Sequence, residues 1–303
     1  MSRARRAGFI TLFAVLAVFL TAFYRFSHRA DIAYSKGRDY SSKGDFEKAA
    51  PLYEETLDAE PSRVEARLSL AEILSWQGRY DESIAQYQKV LDAEPDNERA
   101  RQKLAGVYLW AGRLQEAEDA FKNLLKDHPG DAEIRASLGE VLIRRKRYDE
   151  AIETLEQGLS VKPDANLEFL RAEALYFSGK SGPAEEAMRR ALEEDPGNSK
   201  AKALLAEMAA NGGRTEEARA LYGDLLANGK KWSAASRNIL KRNIAKTYLM
   251  DREYEKAEVL LKEVLAENPS DTAAKLMLAR AYHYSGKTEE SKELAEALLK
   301  EID

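Results

Sequence analysis

"SWQGRYDESI" (Ser75–Ile84) and "LWAGRLQEAE" (Leu109–Glu118) are two versions of one phrase. They set Trp76 and Trp110 34 residues apart, each followed two residues later by glycine, then arginine, then a large apolar residue. A phrase returning at a fixed interval of this size marks a repeat array. The prolines supply the register: Pro61, Pro95, Pro129 and Pro163 are each 34 apart, Pro196 follows at 33, and Pro269 at 73, two periods plus five.

With that proline set as position 32, position 8 reads Gly37, Ala71, Ala105, Gly139, Ala172, Ala206, Ala245 and Ala279. Position 20 reads Ala49, Ser83, Ala117, Ala151, Ala184, Ala218, Ala257 and Ser291. Small residues at both places let two helices approach closely where their ridges cross. Position 28 is leucine throughout, from Leu57 to Leu299, and is expected to fill the space between hairpins. Position 24 is usually large and apolar, as in Tyr53, Phe121 and Leu155. These sites follow helical spacing on two segments per unit. Gly78, Gly112, Gly179, Gly213 and Gly286 at position 15 supply the turn between them, because glycine accepts positive φ. Proline at 32 ends the second helix.

This pattern resembles the tetratricopeptide repeat family over about residues 30–303. The resemblance implies an all-α fold, a right-handed α-solenoid of about eight hairpins, with first helices lining a concave groove. The units are 30–63, 64–97, 98–131, 132–165, 165–198, 199–232, 238–271 and 272–303. The aromatic usual at position 4 is missing, with Arg67, Arg101 and Arg135 in its place. Unit six lacks its proline, and the extra residues around "KKWSAAS" (Lys231–Ser236) either lengthen the next first helix or form a loop bearing Trp232.

In that family positions 2, 5, 9, 12 and 13 face the groove. The resemblance therefore assigns the groove Trp76, Trp110, Tyr176, Phe177 and Tyr284 at positions 12 and 13. At position 9 it assigns Glu72, Glu140, Glu173, Glu207, Lys246 and Arg280, which with Arg38 at the same position make an acidic centre between basic ends. Two readings stand: rings and charges that dock a protein partner or peptide segment, or rings packed between hairpins beside a solvated helix face. A polysaccharide stacked on the same rings is the second candidate ligand. "LSWQGRYDESIAQYQKVL" is also similar, as a phrase, to repeats of periplasmic scaffolds in bacterial exopolysaccharide secretion.

Ahead of the array, residues 1–7 are a basic flank and 8–26 a transmembrane anchor. Gly8–Tyr24 carries no charge, and 17 residues at about 1.5 Å each reach the lower edge of a bilayer span. A cleaved signal peptide is the alternative, but no good A-x-A site ends the run. The expectation is a single-pass protein of a bacterial inner membrane with the array outside the cytoplasm; a cytoplasm-facing adaptor is the other orientation.

Composition narrows function. The 303 residues are 44% hydrophobic and 33% charged, with no cysteine and three histidines (His28, His128, His283) far apart. Thiolate chemistry is excluded, and a His-based metal cluster is disfavoured. Net charge is −5, and five of the 47 basic residues precede residue 30, where no acid lies, so the body is more acidic still and offers nucleic acid no phosphate-binding surface. "GKSG" (Gly179–Gly182) lacks the glycine a P-loop needs at position 174, where Ala174 stands. No cofactor and no enzymatic activity are expected.

Overall fold

A computed structural model describes residues 27–228 and 232–302; the expected membrane segment Gly8–Tyr24 lies outside them. Among the described residues every element is a helix, and no helix is long and apolar enough to cross a membrane. The chain divides into two compact units at Arg145/Lys146. The first holds α1 (Arg29–Ser42), α2 (Phe46–Ala59), α3 (Val64–Trp76), α4 (Tyr80–Ala93), α5 (Glu98–Trp110), α6 (Leu114–Asp127) and α7 (Ala132–Arg144). The second holds α8 (Tyr148–Leu159), α9 (Ala165–Phe177), α10 (Ser181–Glu194), α11 (Ser199–Asn211) and α12 (Thr215–Asn228). It continues with α13 (Ala234–Met250), α14 (Tyr254–Glu267), α15 (Thr272–Ser285) and α16 (Thr288–Ile302). Within each unit the helices pack chiefly on their chain neighbours, as stacked hairpins of a solenoid do.

Local chemistry explains each boundary. Second helices stop two residues before the position-32 prolines, except α8, which ends four before Pro163. Asn97, Asp131, Asn198 and Asp271 then cap the next first helix by accepting the backbone N–H three residues on, each at 3.0 Å. At position 15 the backbone is left-handed in every hairpin: Gly44, Gly78, Gly112, Gly179, Gly213 and Gly286, but also Lys146 (φ 60°) and Arg252 (φ 63°). Inside the hairpin the helices touch at positions 8 and 20. Ala71, Ala105, Ala117 and Ala151 have no exposed surface, and Ser83 Oγ donates to the Ala71 carbonyl at 2.7 Å. Ser291 repeats the bond to Ala279 at 3.0 Å.

Leucine at position 28 does not occupy the centre. Leu57, Leu91, Leu125 and Leu159 are half-buried and Leu299 is exposed, whereas Tyr53, Tyr87, Phe121, Leu155, Met188, Tyr222 and Leu261 at position 24 are buried. Position 27 joins them through Val90, Leu124, Leu225 and Val264. Helical phase is the reason: positions 20, 24 and 27 share one stripe, and 28 turns about 80° away from position 20. Leu155→Ala is therefore expected to lower the urea midpoint more than Leu159→Ala, by about 2–5 kcal/mol at the buried site.

The arginines at position 4 replace an aromatic, and two of them tie back to the preceding turn. Arg67 donates to the Pro61 carbonyl and Arg135 to the Pro129 carbonyl, at 2.5 and 2.6 Å, while Arg101 meets Asp127 at 2.7 Å. A cation there satisfies a carbonyl that the terminating helix leaves open. The inserted residues lengthen the next first helix: α13 has 17 residues where α3 and α5 have 13. Trp232 precedes it and donates Nε1 to the Leu225 carbonyl at 3.0 Å.

Candidate partner-docking site

Position 13 is the last turn of each first helix, and its side chains project beyond the hairpin. Trp76 and Trp110 are each 54% exposed, and Phe177, Met250 and Tyr284 are likewise open to solvent. The inner faces of Trp76, Phe177 and Tyr284 are held by the aromatic at position 17 of the preceding hairpin. In the first unit, Trp76 leans on Phe46 with ring centroids 4.8 Å apart. In the second, Phe177 stacks on Tyr148 at 6.0 Å and Tyr284 on Tyr254 at 5.8 Å. The tryptophan of the opening phrase thus braces one hairpin against its predecessor with one face and offers the other to solvent. Packing between hairpins, one of the two readings given by the sequence, describes one face of these rings, and the other face is open to solvent.

Tyr176 is half-buried, lies 5.6 Å from the Phe177 ring, and accepts a hydrogen bond from Asn211 Nδ2 at 2.7 Å. Its role is to fix the neighbouring first helix rather than to present a free ring.

The position-9 charges differ among themselves. Glu72 is engaged by Lys103 at 2.8 Å and Arg99 at 3.4 Å from α5, so its charge is neutralised within the first unit. Glu140 and Glu207 are exposed, and neither has an ion-pair partner among the described residues; Glu173 is half-buried. Behind the carboxylates lie buried phenols: burial, with the Glu72 charge adding, pushes the Tyr87 hydroxyl up. Burial, reinforced by Glu207, pushes Tyr222 up to about 12. In the second unit Lys246 and Arg280 are exposed, with the Arg280 guanidinium 5.9 Å from the Tyr284 ring.

Such a surface stacks rings and pairs charges. Among the described residues no group of three His, Asp or Glu side chains is placed to hold a metal ion. The sequence alone missed the position-17 partners, although Phe46, Tyr148 and Tyr254 are themselves a periodic signal, 30, 29 and 30 residues before their mates.

The molecule is thus a helical-hairpin repeat protein. It belongs to the tetratricopeptide repeat family, whose sequence pattern matches residues 41–106, 77–120, 108–175, 179–240 and 248–303. A tetratricopeptide repeat protein from Parabacteroides merdae ATCC 43184 superimposes with a TM-score of 0.67 at 19% identity, covering 83% of this chain and 98% of that one. PilW, a type IV pilus biogenesis factor, gives 0.62 at 20% identity over 72% of this chain and 99% of its own. These likenesses are of fold. In sequence, "Cellulose synthase operon protein C" of Xanthomonas axonopodis pv. citri (strain 306) is 26% identical over 153 residues, 49% of this chain. The match spans 10% of that relative's length.

Proposed function

We propose that this chain is a non-enzymatic, membrane-tethered scaffold that captures a segment of a protein partner on its first helices, in an envelope or polysaccharide-export assembly. The observation that carries the reading is at position 13, where Trp76 in the first unit and Phe177 and Tyr284 in the second are each held from one side and open on the other. Tetratricopeptide repeat proteins in general bind protein partners, which is the use such rings serve. The uncharged Gly8–Tyr24 run supports the tether, and the leading arginines support an array outside the cytoplasm. The relative named for a cellulose synthase operon supports the export setting.

The test is crosslinked co-purification of the full chain from native membranes, comparing wild type with Trp76→Ala/Trp110→Ala. Loss of the partner is expected with helicity retained and a stability cost of about 0.5–1.5 kcal/mol from the Phe46 contact. An unchanged partner set would sink the reading. Tryptophan fluorescence quenched by soluble oligosaccharides, with partner capture intact, would transfer the surface to glycan binding. Protease accessibility in sealed vesicles decides the sidedness.

A further inference from the structure

Helices α13 and α15 contain no acidic residue at all, although the chain is acidic and their hairpin mates α14 and α16 are rich in glutamate. The two pack side by side through Ala245 and Leu249 of one and Ala274, Leu278 and Ala281 of the other. Their opposite faces are open. On α13, Ile239 and Met250 flank Lys246; on α15, Leu276 and Tyr284 flank Arg280. In each stripe the flanking residues lie within about 40° of the cation around the helix. All four apolar side chains are between 44% and 58% exposed.

The other cations of α13 are already committed. Lys241 meets Glu263 at 3.0 Å and Glu267 at 3.3 Å, and Arg242 meets Asp271 at 2.7 Å. Lys246 and Arg280, both at position 9, have no carboxylate partner among the described residues. The preceding position-9 residue, Glu207 on α11, is acidic and bounds the basic area on that side.

We infer that α13 and α15 form a docking face for an acidic, amphipathic segment of a partner protein. Its carboxylates pair with Lys246 and Arg280, and its apolar side chains cover Ile239, Leu276, Met250 and Tyr284. Charge complementarity selects this occupant. A cation placed between two apolar side chains loses water when they are covered, and an arriving carboxylate replaces that hydration. A helix lying on a bilayer separates its cations onto a polar face instead of centring them in the apolar stripe.

This inference rests on the docking reading above and names the partner chemistry at its basic end. Its test is selection of a phage-displayed library of random 12-residue peptides on the detergent-solubilised full chain, counter-selected on Lys246→Glu/Arg280→Glu. Enriched peptides should carry Asp or Glu flanked by Leu, Ile or Phe. A synthetic copy should bind the reversed variant at least ten-fold more weakly and weaken with added salt. Lys246→Gln/Arg280→Gln, checked for wild-type circular dichroism, should show a similar loss and guards against misfolding. Enrichment without acidic bias, or equal affinity for the variants, overturns the inference. If the tryptophan variant still loses its membrane partner in that case, the docking reading survives alone; if capture is untouched by either pair of substitutions, both fall.

Discussion

The two units close their hairpin interfaces at the same register place in different proportion, the first mainly with apolar side chains and the second mainly with ion pairs. Position 21 faces the next hairpin. In the first unit it is Ala50, then Ile84, both buried in apolar clusters with the following helices. In the second unit it is Ile152, also buried, and then Glu185, Arg219 and Glu258. Glu185 lies 2.7 Å from both Arg189 and Arg214, and Glu217 completes a ring with the same two arginines. Arg219 meets Asp251 at 2.6 Å, and Glu258 meets Lys262 and Lys287, each at 2.7 Å. Glu118, last of its kind in the first unit, is already ionic: it is buried against Lys122 and Arg145. One geometry thus accepts either apolar or ionic closure. A solenoid interface needs complementarity at that place, not a particular chemistry.

The contrast can be broken experimentally. Ile84→Ala should cost about 2–5 kcal/mol through a cavity, with a loss that does not change with salt. Hydrogen exchange should then accelerate first in α4 and α5; exchange that accelerates uniformly along the chain would contradict local coupling.

Glu258→Gln should cost about 1 kcal/mol at neutral pH and less in high salt. Hydrogen bonds from Lys262 and then Lys287 hold the Glu258 carboxyl below the usual carboxylate range, and Arg189 followed by Arg214 does so for Glu185. A lowered carboxylate pKa gives stability that is complete above the unfolded value, about 4.3, and disappears as pH falls through the folded value. Wild type and Glu258→Gln should therefore differ at pH 7 and converge in acid, read by urea midpoints. A difference that grows below pH 4 would reverse the assignment.

The smallest effect has the opposite sign. Lys146 and Arg252 hold the left-handed backbone that glycine holds in the other turns. Lys146→Gly and Arg252→Gly should each leave stability unchanged or raise it by about 0.5–1 kcal/mol, measured as a melting shift.

Much of this architecture was legible from spacing. Prolines located the ends of six hairpins, and small residues at positions 8 and 20 located the helix crossing, because both are demands on volume or backbone that few residue types meet. Three features were not legible. The turns at Lys146 and Arg252 lack the glycine that announces them elsewhere. The unbroken run of leucines at position 28 suggested a central role, but identity is blind to a phase error of one residue, which moves a side chain from centre to edge. At the candidate site, the sequence brought Glu72 forward as a groove charge without revealing that Arg99 and Lys103, 27 and 31 residues later, would claim it. Long-range pairs of that kind depend on how hairpins stack, which no local pattern encodes.

The brace between positions 17 and 13 has a thermodynamic corollary. A free indole on a surface helix samples several rotamers, and immobilising such a side chain on association costs about 0.5–1.5 kcal/mol. Trp76, already seated against Phe46, has surrendered much of that freedom before anything arrives. Removing Phe46 should therefore weaken capture at Trp76 without deleting a single atom that a visitor touches, as entropy returned to the indole and taken away again on contact.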